Sequence, residues 1–172
     1  MEGLQKNDVS LVPFDENWER KFALAKDELI DILGNNVLEV CHVGSTAIKG
    51  ILAKPIIDIH VVVKENKILN IEGMQTAGYI YDGEYDLFGH MFHRKASGGL
   101  VTHHVKCYPE GHTNHKNVVL FCKYLNENPG HAKQYSDLKS ELAIKYPCSR
   151  EEYTNAKTNF VEIILELART KA

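Results

Sequence analysis

The sequence lacks a long apolar run. Its longest apolar stretch, around residues 56–63, is interrupted by Asp58 and His60 and is far too short to cross a bilayer. The first ten residues, MEGLQKNDVS, contain no apolar segment of the kind that directs export. We therefore expect no membrane partner and a cytoplasmic location.

Closely spaced cysteine pairs are also absent. The chain has four cysteines, with no Cys-X-X-Cys spacing among them: Cys41, Cys107, Cys122 and Cys148. Without an export signal, such cysteines indicate reduced thiols in the cytoplasm rather than a disulfide framework.

An excess of positive charge is missing as well. Lysine and arginine total 20 against 23 acidic residues, so the net charge is -3. General nucleic-acid binding needs a basic surplus to neutralise phosphates, so we expect no nucleic-acid partner, although a local basic patch is compatible with this balance. A length of 172 residues with 44% hydrophobic residues suits one globular domain spanning residues 1–172.

What is present is an ordered series of helix and strand patterns. Apolar spacing predicts helices at 17–33, 67–77, 116–126 and 129–145, and a last helix after Pro147. β-Branched and aromatic runs predict strands at 37–43, 55–63, 79–81, 90–95 and 100–107, with a polar loop at 82–89. This order predicts an α+β (α/β) domain in which a mixed sheet has a helical C-terminal cover.

Two polar residues mark predicted helix starts. Asp15 can cap the first helix. Ser149 and Glu152 have the spacing of a capping box for the last one, and we expect that helix to run unbroken to the end of its apolar pattern.

Several residues able to bind a ligand lie between His42 and Val63. Gly44 and Ser45 follow an apolar run, and twelve residues separate Ser45 from Asp58 in the next predicted strand. Glycine lets the backbone approach a phosphate, and a serine hydroxyl adds a donor. If Thr46 opens a helical turn, its backbone amides would strengthen an anion site. The simpler alternative is an ordinary turn after a strand.

The strand that follows carries Asp58. Alternation places Asp58 and His60 on one face, with their Cα atoms roughly 6.6 Å apart, so that one metal ion or substrate group can touch both side chains. The isoleucines and valines of the other face belong to the core. The alternative role for Asp58 is to bond the amides of the preceding turn.

A second polar strand reads LVTHHVKCY. Alternation directs His103 toward the core with Val105, and directs His104 and Lys106 to the same side as Asp58. We interpret His103 as a packed, hydrogen-bonded histidine. His104 is either a ligand-binding group or a solvated strand residue.

Two sets of candidate ligand-binding side chains result. A histidine and aspartate metal site would consist of His42, Asp58, His60 and His104, although no HxH or HExxH spacing supports it. The basic candidates for holding a phosphate are Lys54, Arg94 and Lys106. The alternative for each of these is a solvated surface charge.

The segment HVGSTAIKGILAKPIIDI resembles the signature of the GrpB family, which usually reads close to HIGSTAVPGLAAKPIIDI. The resemblance continues through VPFDENW, THHVK, YLNENPGHAKQYSDLKSELAIKYP and EEYTNAKTNFV, and so covers nearly the whole chain. It implies a nucleotidyltransferase-like (polymerase-β-like) mixed sheet. It also implies that Gly44 and Ser45 hold a nucleotide phosphate and that Asp58 is the first metal carboxylate and the catalytic residue.

The chain departs from that superfamily's pattern of carboxylates. The second carboxylate position falls on His60, and the third falls near His104 or Lys106. Two Mg²⁺ ions need oxygen ligands, whereas imidazoles suit Zn²⁺ or Mn²⁺ better. Glu84 or Asp86 would be an alternative source of the missing carboxylate.

Two functional hypotheses remain open at this point. The first is an enzyme that transfers a nucleotidyl group from an NTP to a small acceptor, using Mg²⁺ or Mn²⁺. The second is a protein that binds a nucleotide or phosphorylated metabolite without turnover, with Zn²⁺ as a further metal to consider. In both, the partner is a small molecule, and the sequence does not determine the oligomeric state.

Overall fold

A computed structural model describes residues 3–5, 7–85, 89–96 and 98–171 of the chain. Its α-helices are α1 (Asn17–Leu33), α2 (Ile71–Thr76), α3 (Thr113–Glu127), α4 (Pro129–Lys145), α5 (Arg150–Asn155) and α6 (Thr158–Thr170). Its strands are β1 (Val37–Val43), β2 (Ile57–Val63), β3 (Tyr79–Tyr85), β4 (Gly89–Lys95) and β5 (Val101–Pro109).

The five strands form one mixed sheet in the order β1-β2-β5-β4-β3. β2 and β5 are parallel, and the other neighbours are antiparallel. The register pairs Asp58 with His104 and His60 with Lys106, so these side chains share one face as predicted. On the other side of β2, His60 is opposite Cys41 of β1.

Helix α1 has the predicted bounds and covers the apolar face of the sheet. Its buried residues Trp18 and Leu29 belong to the same core cluster as Ile59 of β2 and Val105 of β5. Asp15 acts at its start, where Oδ1 accepts a hydrogen bond from the Asn17 amide at 2.9 Å. The spacing of apolar residues, every 3.6 residues in α1 and every second residue in β2, therefore correctly predicts which faces of the helix and the sheet pack together.

The C-terminal helices pack against the opposite face, beside β1. Val43 at the end of β1 shares a second buried cluster with Cys122 and Leu125 of α3 and with Ile164 of α6. No helix of the described residues is long and apolar enough to cross a membrane.

The structure corrects two predictions about local structure between β2 and β4. The predicted loop at 82–89 is largely strand, because β3 continues through Gly83 and Glu84, which pair with Met91 and His90 of β4; positions 86–88 lie outside the described residues. Polar residues suit this strand because it is at the sheet edge. The 67–77 helix is shorter, since a 3-10 turn at Asn66–Ile68 precedes α2.

The predicted last helix is divided into α5 and α6. Ser149 precedes α5, but its side chain makes no capping hydrogen bond, so the predicted capping box is wrong. Ala156 and Lys157 lie between the two helices. Helix α6 buries Ile164, Leu165 and Ala168, while Leu167, which the predicted apolar face included, remains 37% exposed.

Candidate ligand-binding cleft

The turn after β1 approaches the β2 carboxylate very closely. Gly44 has φ +74° and ψ -168°, a backbone conformation that is essentially restricted to glycine. A Cβ atom added there would lie 2.5 Å from Asp58 Oδ2. The thiol of Cys122 in α3 donates a hydrogen bond to the Gly44 carbonyl, with Sγ and O 3.7 Å apart. Glycine is therefore required for the turn to sit beside Asp58.

The hydroxyl groups of the turn fix its position. Thr46 is 2% exposed, and its Oγ1 lies 2.9 Å from His42 Nε2 and 3.4 Å from the Ile56 carbonyl oxygen. Burial raises the pKa of the Tyr135 phenol in α4, and the neighbouring Ser45 side chain acts in the opposite direction. The predicted helical turn is present as a 3-10 turn over Ser45–Ala47. The hydroxyls of Thr46 and Ser45 thus have polar neighbours within the chain.

Asp58, His104 and Arg150 form a connected polar chain. His104 Nδ1 lies 3.0 Å from Asp58 Oδ1, and Arg150 Nη2 lies 3.4 Å from His104 Nε2. Because a guanidinium only donates, this contact favours the tautomer in which His104 Nδ1 carries the proton and donates to Asp58. The Asp58 side chain keeps 41% of its surface accessible, so a ligand can reach the carboxylate.

The charges around Asp58 keep it ionised. Burial acts to raise the pKa of its carboxyl, but the hydrogen bond and electrostatic attraction of His104 and the charges of two lysines outweigh burial and hold the pKa well below its ordinary value. These lysines are Lys54 and Lys106. An ionised carboxylate with such a low pKa is a weak proton acceptor, so Asp58 does not suit the role of a general base.

Three lysines lie in the same region and crowd one another. Burial and the charge of Arg150 lower the pKa of Lys54 to about 8, and burial and the charge of Lys54 lower the pKa of Lys157 to about 8. Burial and the charge of Lys157 lower the pKa of Lys139 to about 7. Lys157 Nζ lies 4.2 Å from the centre of the Tyr153 ring, and Lys54 Nζ lies 5.6 Å from it. The cleft therefore holds more positive than negative charge.

These lowered pKa values predict that stability rises with pH. An unfolded lysine has a pKa near 10.5, so above pH 7 the unfolded chain binds more protons than the folded chain at Lys139, and the slope is at most about 1.4 kcal/mol per pH unit. We expect the free energy of unfolding, measured by urea titration, to rise between about pH 7 and 8, where unfolded thiols, with a pKa of about 8.5, are still mostly protonated. Lys139→Met should reduce that rise by up to about 1.4 kcal/mol.

The control for this prediction is Lys133→Met, on the same helix, since the Lys133 side chain is 76% exposed and pairs only with a carboxylate one turn away, Asp137. An equal rise in stability with pH in Lys139→Met and Lys133→Met would contradict a lowered pKa at Lys139.

The structure brings some of the predicted site residues together and separates others. Gly44, Lys54, Asp58 and His104 meet in the cleft, and Lys106 is on the same face of the sheet. Arg94 is on the opposite face, where Nη1 pairs with Glu28 Oε2 at 2.8 Å.

The predicted metal-binding histidines also have different neighbours. His42 stacks on Phe22 of α1, with ring centres 4.9 Å apart. His60 is buried against Tyr108, with ring centres 5.0 Å apart. His103, predicted to be hydrogen-bonded, has Nδ1 2.9 Å from the Thr102 hydroxyl. Among the described residues, no three of His42, Asp58, His60 and His104 bring their ligand atoms within 4.8 Å of one another.

These residues do not suit a pair of magnesium ions, which the resemblance to nucleotidyltransferases led us to consider. Asp58 is one carboxylate facing two lysines and an imidazole, whereas Mg²⁺ prefers several oxygen ligands. Glu84 is on β3, three strands away from β2 in the sheet. Asp86 lies outside the described residues.

A cavity of 540 Å³ adjoins the cleft among α3, α4, α5 and α6. Tyr135 and Lys157 are part of its lining, and Tyr135 is a neighbour of Ser45 in the Gly44 turn. Its other polar lining includes Asn117, Thr154 and Arg169. A larger cavity of 640 Å³, lined by Glu65, His90 and Pro109, is at the other end of β2; its lining includes Glu84, the alternative carboxylate, but not Asp58 or the Gly44 turn.

Sequence reasoning missed Lys139, Arg150 and Lys157. All three come from the C-terminal helical region, Lys157 from the link between α5 and α6, far along the chain from the Gly44 turn. The one available signal was Lys139 itself, which is 1% exposed and lies in the apolar stripe of α4 with Ala132, Tyr135 and Leu142. A lysine in such a stripe is unusual enough to draw attention.

The sheet and its helices define the class of the fold. They superpose on Cid1 poly(U) polymerase, in a crystal structure with MgGTP bound, with a TM-score of 0.53 at 14% identity, over 77% of this chain and 44% of that chain. At this identity the likeness concerns the fold alone. The chain therefore has the predicted nucleotidyltransferase-like, mixed-sheet α+β fold.

The sequence profile described as GrpB protein matches residues 8–167, and the chain belongs to the GrpB family. The crystal structure of conserved protein GrpB from Enterococcus faecalis has a TM-score of 0.82 and 33% identity, over 94% of this chain and 98% of that one. The glutamate-rich protein GrpB of Alkalihalophilus pseudofirmus is 40% identical over 96% of this chain and 98% of its own length.

Some relatives are longer than this chain. UPF0157 protein YqkA of Bacillus subtilis is 32% identical over 95% of this chain, which spans about half of that relative, 48% of its length.

Proposed function

We propose that this protein binds a phosphate-bearing small molecule, of the nucleotide class, in the cleft around Asp58. The observation that carries the proposal is the concentration of Lys54, Arg150 and Lys157 around a single carboxylate. Burying cations without matching anions is costly, as the lowered pKa values of the lysines reflect. A multiply charged phosphate group would relieve their mutual repulsion and restore their full charge.

The cleft supplies the types of donor that phosphate recognition uses. Arg150 offers a planar guanidinium that can form two parallel bonds, and the lysines offer compact point charges. Gly44 removes the side chain that would block close approach of a ligand to the turn. The likeness of the fold to a nucleotide-bound polymerase supports a nucleotide as the phosphate bearer.

A second candidate is transfer of a nucleotidyl group from an NTP to a small acceptor, with Asp58 as the catalytic carboxylate and Mg²⁺ or Mn²⁺ as the metal. The fold and the position of Asp58 beside the Gly44 turn favour it. The single carboxylate favours binding without transfer, because nucleotidyl transfer commonly relies on a pair of ions held by several oxygen ligands.

Asp58→Asn separates the two candidates, because the sign of its effect differs. If the cations bind the phosphate directly, removing a negative charge leaves affinity unchanged or raises it, with or without metal. If Asp58 holds a metal ion that bridges to the ligand, affinity falls and the dependence on metal is lost. Asp137→Asn, at an exposed position of α4, is the matched control.

We would measure thermal shifts with ATP, CTP, GTP, UTP and pyrophosphate, each with and without Mg²⁺ or Mn²⁺. A ligand present at a hundred times its Kd adds about 2.7 kcal/mol of stability. We expect a metal-independent shift that persists in Asp58→Asn. A shift that requires metal and disappears in Asp58→Asn supports the transferase, and no shift with any of these compounds at millimolar concentration contradicts both candidates.

A further inference from the structure

A second group of polar side chains occupies the same sheet face, nearer the other end of β2. Glu39 and Cys41 project from β1, and His115 reaches them from the first turn of α3. One ligand atom from each lies within 4.8 Å of the other two, the only such trio of histidine, cysteine or acidic side chains in the part of the chain that the structure describes. This trio, the β1–α3 cluster, contains none of the residues that surround Asp58.

Two buried nitrogen atoms beside these residues have no hydrogen-bond partner. They are Nδ1 of His115, which is 7% exposed, and Nδ1 of His60, which is 4% exposed. The two rings are adjacent, with centres 5.6 Å apart. Buried polar atoms are nearly always bonded to protein or to water, so these two nitrogens indicate a polar space beside the β1–α3 cluster. The other nitrogen of His115, Nε2, faces Glu39.

We propose that Glu39, Cys41 and His115 bind one transition-metal ion of the zinc class, separately from the Asp58 cleft.

The chemistry of the donors selects this class of ion. A thiolate, an imidazole and a carboxylate are all ligands of Zn²⁺, whereas Mg²⁺ and Ca²⁺ prefer oxygen. Thiolate and carboxylate together carry two negative charges, which balance a divalent ion. In the absence of metal, burial and the neighbouring Glu39 carboxylate raise the pKa of Cys41 to about 12, so the thiol keeps its proton. Metal would replace that proton, because a coordinating thiol is deprotonated.

The three ligand atoms need to approach one another only slightly to bind one metal ion. Bond lengths of about 2.0–2.3 Å at a tetrahedral zinc place neighbouring ligand atoms roughly 3.4–3.6 Å apart. His115 Nε2 is already 3.6 Å from Glu39 Oε2. The Glu39 side chain is 58% exposed, so it can rotate freely and gives the ion a path from solvent. Three protein ligands leave a fourth position for water, or for His60 if its ring turns.

Cobalt substitution gives the most direct test. The full-length protein is stripped with a chelator and titrated with Co²⁺, then Zn²⁺ is titrated in competition with a chromophoric chelator. We expect one equivalent of ion, with the near-ultraviolet absorption that a cobalt–thiolate bond produces. Cys41→Ser should abolish that band and weaken Zn²⁺ binding at least about tenfold. Cys148→Ser, which removes an exposed thiol, should leave both unchanged.

Glu39→Gln makes the test independent of core packing, because this residue is on the surface; it should also weaken Zn²⁺ binding at least about tenfold. Cobalt binding without the thiolate band, or with a band that survives Cys41→Ser, would assign the ion to other ligands and overturn the proposal. So would Zn²⁺ binding that Glu39→Gln leaves unchanged. The readout contains no nucleotide, so its result does not depend on the proposed function of the cleft.

Discussion

Gly44→Ala is expected to destabilise the protein by about 2–4 kcal/mol and to abolish ligand binding in the cleft. The backbone at Gly44 is in a region that other residues enter only at a cost of about 1–3 kcal/mol. In addition, the new methyl group would overlap Asp58 Oδ2, so the carboxylate must move, which disturbs the contact between its other oxygen, Oδ1, and His104. Urea unfolding measures the first effect, and the thermal-shift panel of nucleotides measures the second.

Gly50→Ala provides a matched control for this prediction. Gly50 also has φ +74° and belongs to the same connection between β1 and β2, but an added Cβ would meet nothing within 4 Å. We expect it to cost only about 1–2 kcal/mol of strain and to leave ligand affinity intact. Equal losses of stability and affinity in the two variants would mean that the approach of Gly44 to Asp58 has no special role.

Lys157→Met is expected to weaken binding of a phosphate-bearing ligand by roughly 10- to 150-fold, since a hydrogen bond to a charged group contributes about 1.5–3 kcal/mol. Methionine keeps most of the volume and removes the charge. Combined with Lys54→Met, the loss should exceed that of either variant alone, although the two lysines are close enough to couple. Isothermal titration with the nucleotide that gives the largest thermal shift measures both effects.

Lys133→Met serves as the control for the same change of charge on the exposed side of α4. Charge removal there should alter affinity less than twofold, because solvent screens distant surface charges. A similar loss in Lys133→Met and Lys157→Met would indicate a general effect of net charge and would contradict a specific contact in the cleft.

The sequence predicts the sheet face and the framework of the site well. In β2 and β5, alternation alone identifies which side chains accompany Asp58, because a strand has only two faces. In α1, a complete apolar stripe and a clear end at Gly34 determine both bounds. Both predictions rest on local patterns in the sequence, which are the same whichever element the helix or strand packs against.

The positively charged residues that the C-terminal region adds to the cleft could not be predicted in this way, because no local pattern in the sequence indicates them. Arg150 and Lys157 lie near His104 and Asp58 through long-range contacts, and the division between α5 and α6 has no proline or glycine to predict it. Conversely, the sequence suggested Arg94 as a phosphate-binding residue, but the strand register places it on the sheet face opposite Asp58, where it pairs with Glu28. Long-range contacts and register thus determine which charges share a site.

The sheet and the C-terminal helical region supply different charged groups to the cleft. The sheet supplies the anionic centre, with Asp58 held against His104, while residues 150–157 supply a guanidinium, an aromatic ring and an ammonium group. These eight positions include only one deeply buried side chain, Tyr153. Substitutions in this short segment can therefore alter which anion is preferred at little cost to the fold, so that related chains with one architecture can diverge in ligand.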